Sequence, residues 1–304
     1  MSSSTESNET NRRTVPFVLA IGVLSVSCGS IFVRLSRDAA GLGGAGYSLV
    51  MCAARLTLAS LLLVPMWRSV PTFRNHGAAF RASLLAGVFM GVHFATWITS
   101  LAWTSIAAST TLVTTTPIWV SLFSWLFWAE RPSRFTLLGI VVALAGGVVI
   151  GLSQGGVTGT NAAVGNLLAV AGAISGALYF LLGRRAQKAG FTIGAHVAVA
   201  YSTAAALLLP LPLFFGVGYF GHPPAAYLWI ALMAIFPQMI GHTSFNWAMG
   251  RVSPILVSLV MLAEPVCASV LGYVVFGEAP GGSVVVGALV LVVGVGIAIV
   301  GPKR

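Results

Sequence analysis

Charge is what this sequence has least of: 7% of its 304 residues are Asp, Glu, Lys or Arg, and only 6 of them are acidic. Soluble globular domains carry about 25% charged residues, so that class is excluded. With 57% hydrophobic residues and a mean hydropathy of +0.95, the chain reads as an integral membrane protein. Cysteine is nearly as scarce. Cys28, Cys52 and Cys267 each lie inside an apolar run, without paired spacing or ligating neighbours. They read as small buried hydrophobes, which excludes a disulfide framework or a metal site. Catalytic signatures are missing too: there is no HExxH, no P-loop, no serine nucleophile elbow, and no catalytic cluster beside a headgroup layer. The chain is therefore read as no enzyme, with no cofactor.

Two motif matches carry no chemistry. Gly41, Gly43 and Gly46 satisfy GxGxxG but join two apolar runs and follow no strand, so they are not a dinucleotide site. Asn8, Glu9 and Thr10 form a glycosylation triplet on the side expected to be cytoplasmic, where it is silent. A net charge of +10 would suggest nucleic acid in a soluble protein. Here the basic residues fall in short loops beside apolar runs, so they orient the chain in a membrane.

What the sequence does have is long apolar runs, and its length allows about ten spans of ~20 residues across a ~30 Å hydrocarbon core. The expected spans are 16–34, 46–66, 80–102, 107–128 and 135–152, then 162–182, 192–216, 225–248, 254–276 and 282–301. Residues 1–15 are expected to be a disordered cytoplasmic tail, 153–161 (SQGGVTGTN) the periplasmic linker between the two sets, and 302–304 the cytoplasmic end.

The two sets repeat one another. Shifted by 148 residues, Ser105 meets Ser253, Pro117 meets Pro265, Ser121 meets Ser269 and Glu130 meets Glu278; Pro132, Gly139 and Gly146 likewise meet Pro280, Gly287 and Gly294. Five is odd, so the second copy enters from the opposite side. The predicted fold is all-α: ten transmembrane helices in two inverted-topology repeats of five, 16–152 and 162–301. The basic residues agree. With the N-terminus inside, Arg12, Arg13, Arg68, Arg74, Arg81, Arg131, Arg134, Arg184, Arg185, Lys188, Arg251, Lys303 and Arg304 are cytoplasmic, 13 of the 16, against Arg34 and Arg37 outside.

Polar residues at helical spacing mark faces turned away from lipid. His93, Thr96, Trp97 and Ser100 form one stripe in the third span; Gln238, His242 and Asn246 form another in the eighth, its repeat partner. Ser27, Ser30, Ser175, Tyr179 and the run Thr114, Thr115, Thr116 can converge with them. For the serines and threonines, helix-to-helix hydrogen bonding is the plainer reading. The bulk of His93, Trp97, His242 and Asn246 favours a cavity. Gly87 with Gly91, and Gly172 with Gly176, read as packing pairs.

Arg55 and Glu264 lie near the middle of their spans, where a charge costs about 2.5–3.5 kcal/mol. Three readings stand open: a structural ion pair, Glu264 as a protonatable coupling site, or Arg55 as receiver of a substrate carboxylate. Pro117 and Pro265, in register, are expected to bend helices flanking the site.

The paired series Thr116, Pro117, Glu130, Arg131, Pro132, Gly139, Gly146 and Glu264, Pro265, Glu278, Ala279, Pro280, Gly287, Gly294 resembles the drug/metabolite transporter superfamily, in its ten-span form of two EamA-type repeats. Arg55, in CAARLTLASLLLVP, sits where such repeats often carry a basic residue. The resemblance covers about residues 16–301. Aromatic residues of the third and fourth spans, Trp97, Trp103, Trp119, Trp125 and Trp128, make the chain most similar to the YddG group of inner-membrane amino-acid exporters, although SCGSIFVRLSR lacks the tryptophan many such repeats carry there. The resemblance implies export of aromatic and other neutral amino acids across a bacterial inner membrane, by alternating access around a midplane cavity. Trp97, Trp119 and Tyr179 would offer aromatic surface there, and His93, Gln238, His242 and Asn246 hydrogen bonds. Trp67, Trp128 and Trp229 read as interfacial anchors. Export of drugs or organic cations on the same fold is the second reading; a passive channel or membrane enzyme ranks below both. The expected partners are a small-molecule substrate and the lipid bilayer, with no nucleic acid and a monomer as the default.

Overall fold

In the computed structural model, described over residues 2–100, 103–104, 109, 112–153, 161–277 and 281–300, every regular element is helical. The first half holds α1 (Ser2–Ala40), α2 (Gly44–Leu62), α3 (Phe73–Ser100), α4 (Thr116–Trp128) and α5 (Arg134–Ser153). The second holds α6 (Ala162–Lys188), α7 (Ile193–Leu208), α8 (Pro224–Met249), α9 (Pro254–Phe276, in two segments) and α10 (Gly282–Val300). Seven segments among the described residues are long and apolar enough to cross a membrane, and 134–149 and 282–298 are shorter apolar helices. Asn161 and Thr192 start α6 and α7 by accepting the backbone N–H of Val164 and Ala195.

Several expectations are corrected. The polar N-terminal segment, expected to be disordered, continues α1 as helix from Ser2. Helix α3 begins at Phe73, before the expected residue 80, with a kink at His76. The prolines do not bend continuous helices. Each stands in the first turn of a segment that begins after a break, Pro117 behind Thr114–Thr115 and Pro265 behind Leu262–Ala263. Proline lacks an N–H, and the first helical turn is where none is needed. The middle of α8 was not foreseen: Ala234–His242, which contains Pro237, is π-helical. The expectations for Ser105, Glu278, Ala279, Pro280, Lys303, Arg304 and the linker 154–160 fall outside the described residues.

Glycine lets the helices approach. A Cβ on Gly87 would lie 2.5 Å from the Ala200 carbonyl oxygen, so α3 presses on the backbone of α7; a Cβ on Gly91 would meet the Leu207 side chain at 2.6 Å. Gly172 and Gly176 on α6 lie against Thr96, Trp97 and His93 of α3. Helix α5 crosses α10 through Gly139 against Gly294 and Ala298, and through Gly146 against Gly287 and Leu291. Helix α1 packs along α8, α2 against α7, and the first segment of α9 against α4.

The loops gather at two ends. At one end His76 meets Gly190, Met66 meets Gly194, Gln187 meets Gly250, and Arg184 grips both carboxylate oxygens of Glu130 at 2.7 and 2.8 Å. At the other, Phe215 and Val217 cover Gly46, and Thr104 lies against Gly165 while donating to Asn166.

Candidate functional site

Phe94 is the hub of the site. It is buried on α3, one residue beyond His93, whose ring meets it edge-on at 5.0 Å between centroids. From α8 the His242 ring meets the same phenyl group at 5.8 Å, and from α2 the Arg55 guanidinium lies 4.0 Å above it. His242 ends the π-helical stretch of α8, with Gln238 one turn before it, and π-helical turns recur at functional sites. Trp97 stacks on His93 at 6.0 Å, and Phe180 lies nearly parallel to His242 at 6.3 Å. The His93 and His242 faces therefore meet, with Phe94 between them.

What sets this cluster apart is its hydrogen bonding. More than 90% of buried polar groups in folded proteins are paired. Among the described residues 10 buried side-chain atoms have no partner, and six of them are Arg55 Nε and Nη2, Trp97 Nε1, both amide atoms of Gln238 and His242 Nδ1. Gln238 is 0% exposed and Arg55 8%. His93 is the exception: its Nδ1 pairs with the Gly172 carbonyl at 2.8 Å, so this nitrogen carries the hydrogen on a neutral ring and Nε2 is left as an acceptor. Glu264, half-buried at the start of the second α9 segment, makes no hydrogen bond through its carboxylate with another described residue; its backbone carbonyl accepts from Ser27 at 3.2 Å. It makes no ion pair with Arg55, which corrects the first of the three readings of these residues, although each lies within electrostatic reach of the other.

Other expected site residues have their polar atoms engaged elsewhere. Asn246 is fully buried: its amide nitrogen donates to the Tyr179 hydroxyl and, at 2.8 Å, to the His242 carbonyl, while its oxygen pairs with His196 Nε2 at 3.3 Å. His196 Nδ1 pairs in turn with Ser83 at 3.0 Å. This chain ties α3, α7, α8 and α6 together. The Thr96 hydroxyl donates to Val92 of its own helix, and the Ser100 hydroxyl bonds Trp97 O and Ser109. Thr115 and Trp119 bond each other on α4, indole N–H to hydroxyl at 3.2 Å. The sequence reading missed Phe94, Phe180 and Ser83. It missed His196 as well, whose signal was a histidine alone in an apolar run.

A surface cleft of about 410 Å³ lies away from this cluster, lined by Gly43, Gly44, Ala45, Gly46, Trp103, Phe215 and Val217. Its walls are glycine and apolar side chains, with no charged group to recognise a polar ligand, so the hub is the better candidate. Cys28, Cys52 and Cys267 are free thiols.

Comparisons with known proteins bear on the fold and the family. A solved crystal structure superposes with a TM-score of 0.75, covering 94% of this chain and 96% of that one at 20% identity, which establishes a shared fold alone. An uncharacterized transporter of Archaeoglobus fulgidus is 26% identical over 88% of this chain and 90% of its own length. A protein of Streptantibioticus cattleyicolor, named as a probable terminal-alkyne amino-acid exporter, is 26% identical over 91% of each chain. The EamA-like transporter family matches twice, over residues 17–152 and again over 163–300, and the chain belongs to that family of membrane transporters.

Proposed function

We propose that this transporter exports amino acids, aromatic and other neutral ones among them, by alternating access around the Phe94 hub. The observation that carries the reading is the concentration there of unpartnered polar atoms between aromatic walls. Trp97, Gln238 and His242 offer N–H, carbonyl and imidazole groups, while Phe94, Phe180 and the Trp97 ring offer stacking surface. A small amphoteric solute needs both. The exporter from Streptantibioticus cattleyicolor lends support.

The proposal includes ten spans in two inverted repeats, with both termini cytoplasmic. The double family match and the helix pairing favour it: α3 with α6 corresponds to α8 with α1 under the 148-residue shift, while α2–α7 and α4–α9 are self-corresponding pairs. The two loop clusters also sort as that topology requires, the basic one carrying Arg184 on the cytoplasmic face.

Uptake of radiolabelled phenylalanine and threonine into proteoliposomes, with and without a pH gradient, tests the function. Saturable uptake with counterflow by unlabelled amino acid is expected; non-saturable flux would mean a channel. Export of organic cations is favoured by one observation, the unpartnered Glu264 carboxylate, and transport of a cationic dye that amino acids do not inhibit would establish it instead.

A further inference from the structure

We infer that Arg55 is the anion receptor of the site, taking a substrate carboxylate side-on, so that the transported molecules are those with a free carboxylate. The inference rests on the amino-acid reading and deepens it.

A guanidinium has five N–H donors, and Arg55 uses none in a hydrogen bond with another described residue. The Phe94 ring lies against it, the ring centroid 4.0 Å from the guanidinium carbon. A ring face holds the guanidinium by its charge but offers no oxygen to receive its N–H groups. The two buried, unpartnered donors are Nε and Nη2. These form one fork: their N–H bonds run parallel from the same edge, at the spacing of the two oxygens of a carboxylate. Lysine could not present it. A scaffold arginine at this depth would have its donors satisfied by carbonyls or an acid, and the one acid in electrostatic reach, Glu264, makes no ion pair with it.

The separation of these charges has its own meaning. Arg55 and Glu264 come from different halves of the chain, and the 148-residue shift sets threonine against each, Thr203 against Arg55 and Thr116 against Glu264. Duplication therefore does not account for either charge. An arginine and a carboxyl group that lie within electrostatic reach without touching suit a zwitterion, its carboxylate on the Arg55 fork and its ammonium toward Glu264.

Four probes of one shape test this in proteoliposomes: L-phenylalanine, L-phenylalaninamide, 3-phenylpropionate and phenethylamine, each as a competitor of labelled phenylalanine. The parent protein is expected to bind phenylalanine at least about tenfold more tightly than phenylalaninamide or phenethylamine, the loss of charge-assisted hydrogen bonds. Arg55→Gln should erase that ratio, and Arg55→Lys should restore the charge with only part of the ratio. Monodispersity of both variants shows that they fold. Glu264→Gln should weaken phenylalanine while leaving 3-phenylpropionate unchanged. A monodisperse Arg55→Gln protein that keeps the parental ratio of phenylalanine to phenylalaninamide overturns the inference and leaves the amino-acid reading standing. A parent protein that takes up phenethylamine and ignores phenylalanine overturns both.

Discussion

Removing the Asn246 side chain should destabilise the protein without changing which substrate it prefers. Asn246→Ala deletes three hydrogen bonds: to the Tyr179 hydroxyl, to the His242 carbonyl and to His196 Nε2. Side-chain hydrogen bonds between membrane helices average about 0.6 kcal/mol, which gives about 2 kcal/mol for three. The partners then matter. His196 is fully buried with Nδ1 already on Ser83, so its Nε2 is left without a partner, a loss of about 1–3 kcal/mol. The sum, about 3–5 kcal/mol, should lower the thermal midpoint of purified protein by several degrees or more. His196→Ala should cost about as much, and because both residues belong to one chain of hydrogen bonds, the double variant should fall well short of the sum. Thermal denaturation of the four proteins, with the ratio of phenylalanine to threonine uptake at a temperature where all are folded, checks the argument. Additive midpoint losses would break the network account, and a shifted substrate ratio would return Asn246 to the binding site.

Trp97→Ala removes the ring stacked on His93 and should weaken phenylalanine about two- to tenfold more than threonine, by the value of an aromatic contact; equal losses in uptake would remove Trp97 from the site. Ala129 ends α4 at φ 55°, where its repeat counterpart Gly277 ends α9 at φ 71°, so Ala129→Gly should gain about 1 kcal/mol and Gly277→Ala lose as much, read from denaturation midpoints. Reporter fusions after Ser153 and after Gly221 should both read periplasmic, and a cytoplasmic signal at either place would overturn the span count.

Much of this was legible in the sequence, and the rest failed for identifiable reasons. Hydropathy marked the apolar segments, seven of them long enough to cross a membrane among the described residues, because a bilayer demands apolar length, and proline marked where helical segments start. The glycine pairs read as packing do pack, since the absence of a side chain is visible in one letter. The site was only half legible. Spacing showed that His93 and Trp97 share one face and Gln238 and His242 another, and the structure brings His93, Trp97 and His242 together around Phe94. Spacing cannot show where along a face a hydrogen bond is completed, so Asn246 and Tyr179, on the same stripes, were placed in the cavity although they engage one another and His196. Phe94 was invisible to a search for polar residues. Its role depends on two other helices, α2 and α8, reaching it.

The two halves of the chain agree in scaffold and differ in charge, and that division separates what folds the protein from what it does. The α5–α10 crossing obeys a two-fold rule: Gly139 faces Gly294 and Gly146 faces Gly287, which under the shift are each other's counterparts. Breaks before Pro117 and Pro265 fall in register, as do the left-handed ends at Ala129 and Gly277. Arg55 and Glu264 have no like-charged counterpart; the shift sets Thr203 and Thr116 against them. The helix packing that the two halves share needs neither to stand. A substrate that is itself asymmetric needs an asymmetric site, and one place where the correspondence between the halves fails is where the guanidinium lies on Phe94 with its fork unpartnered.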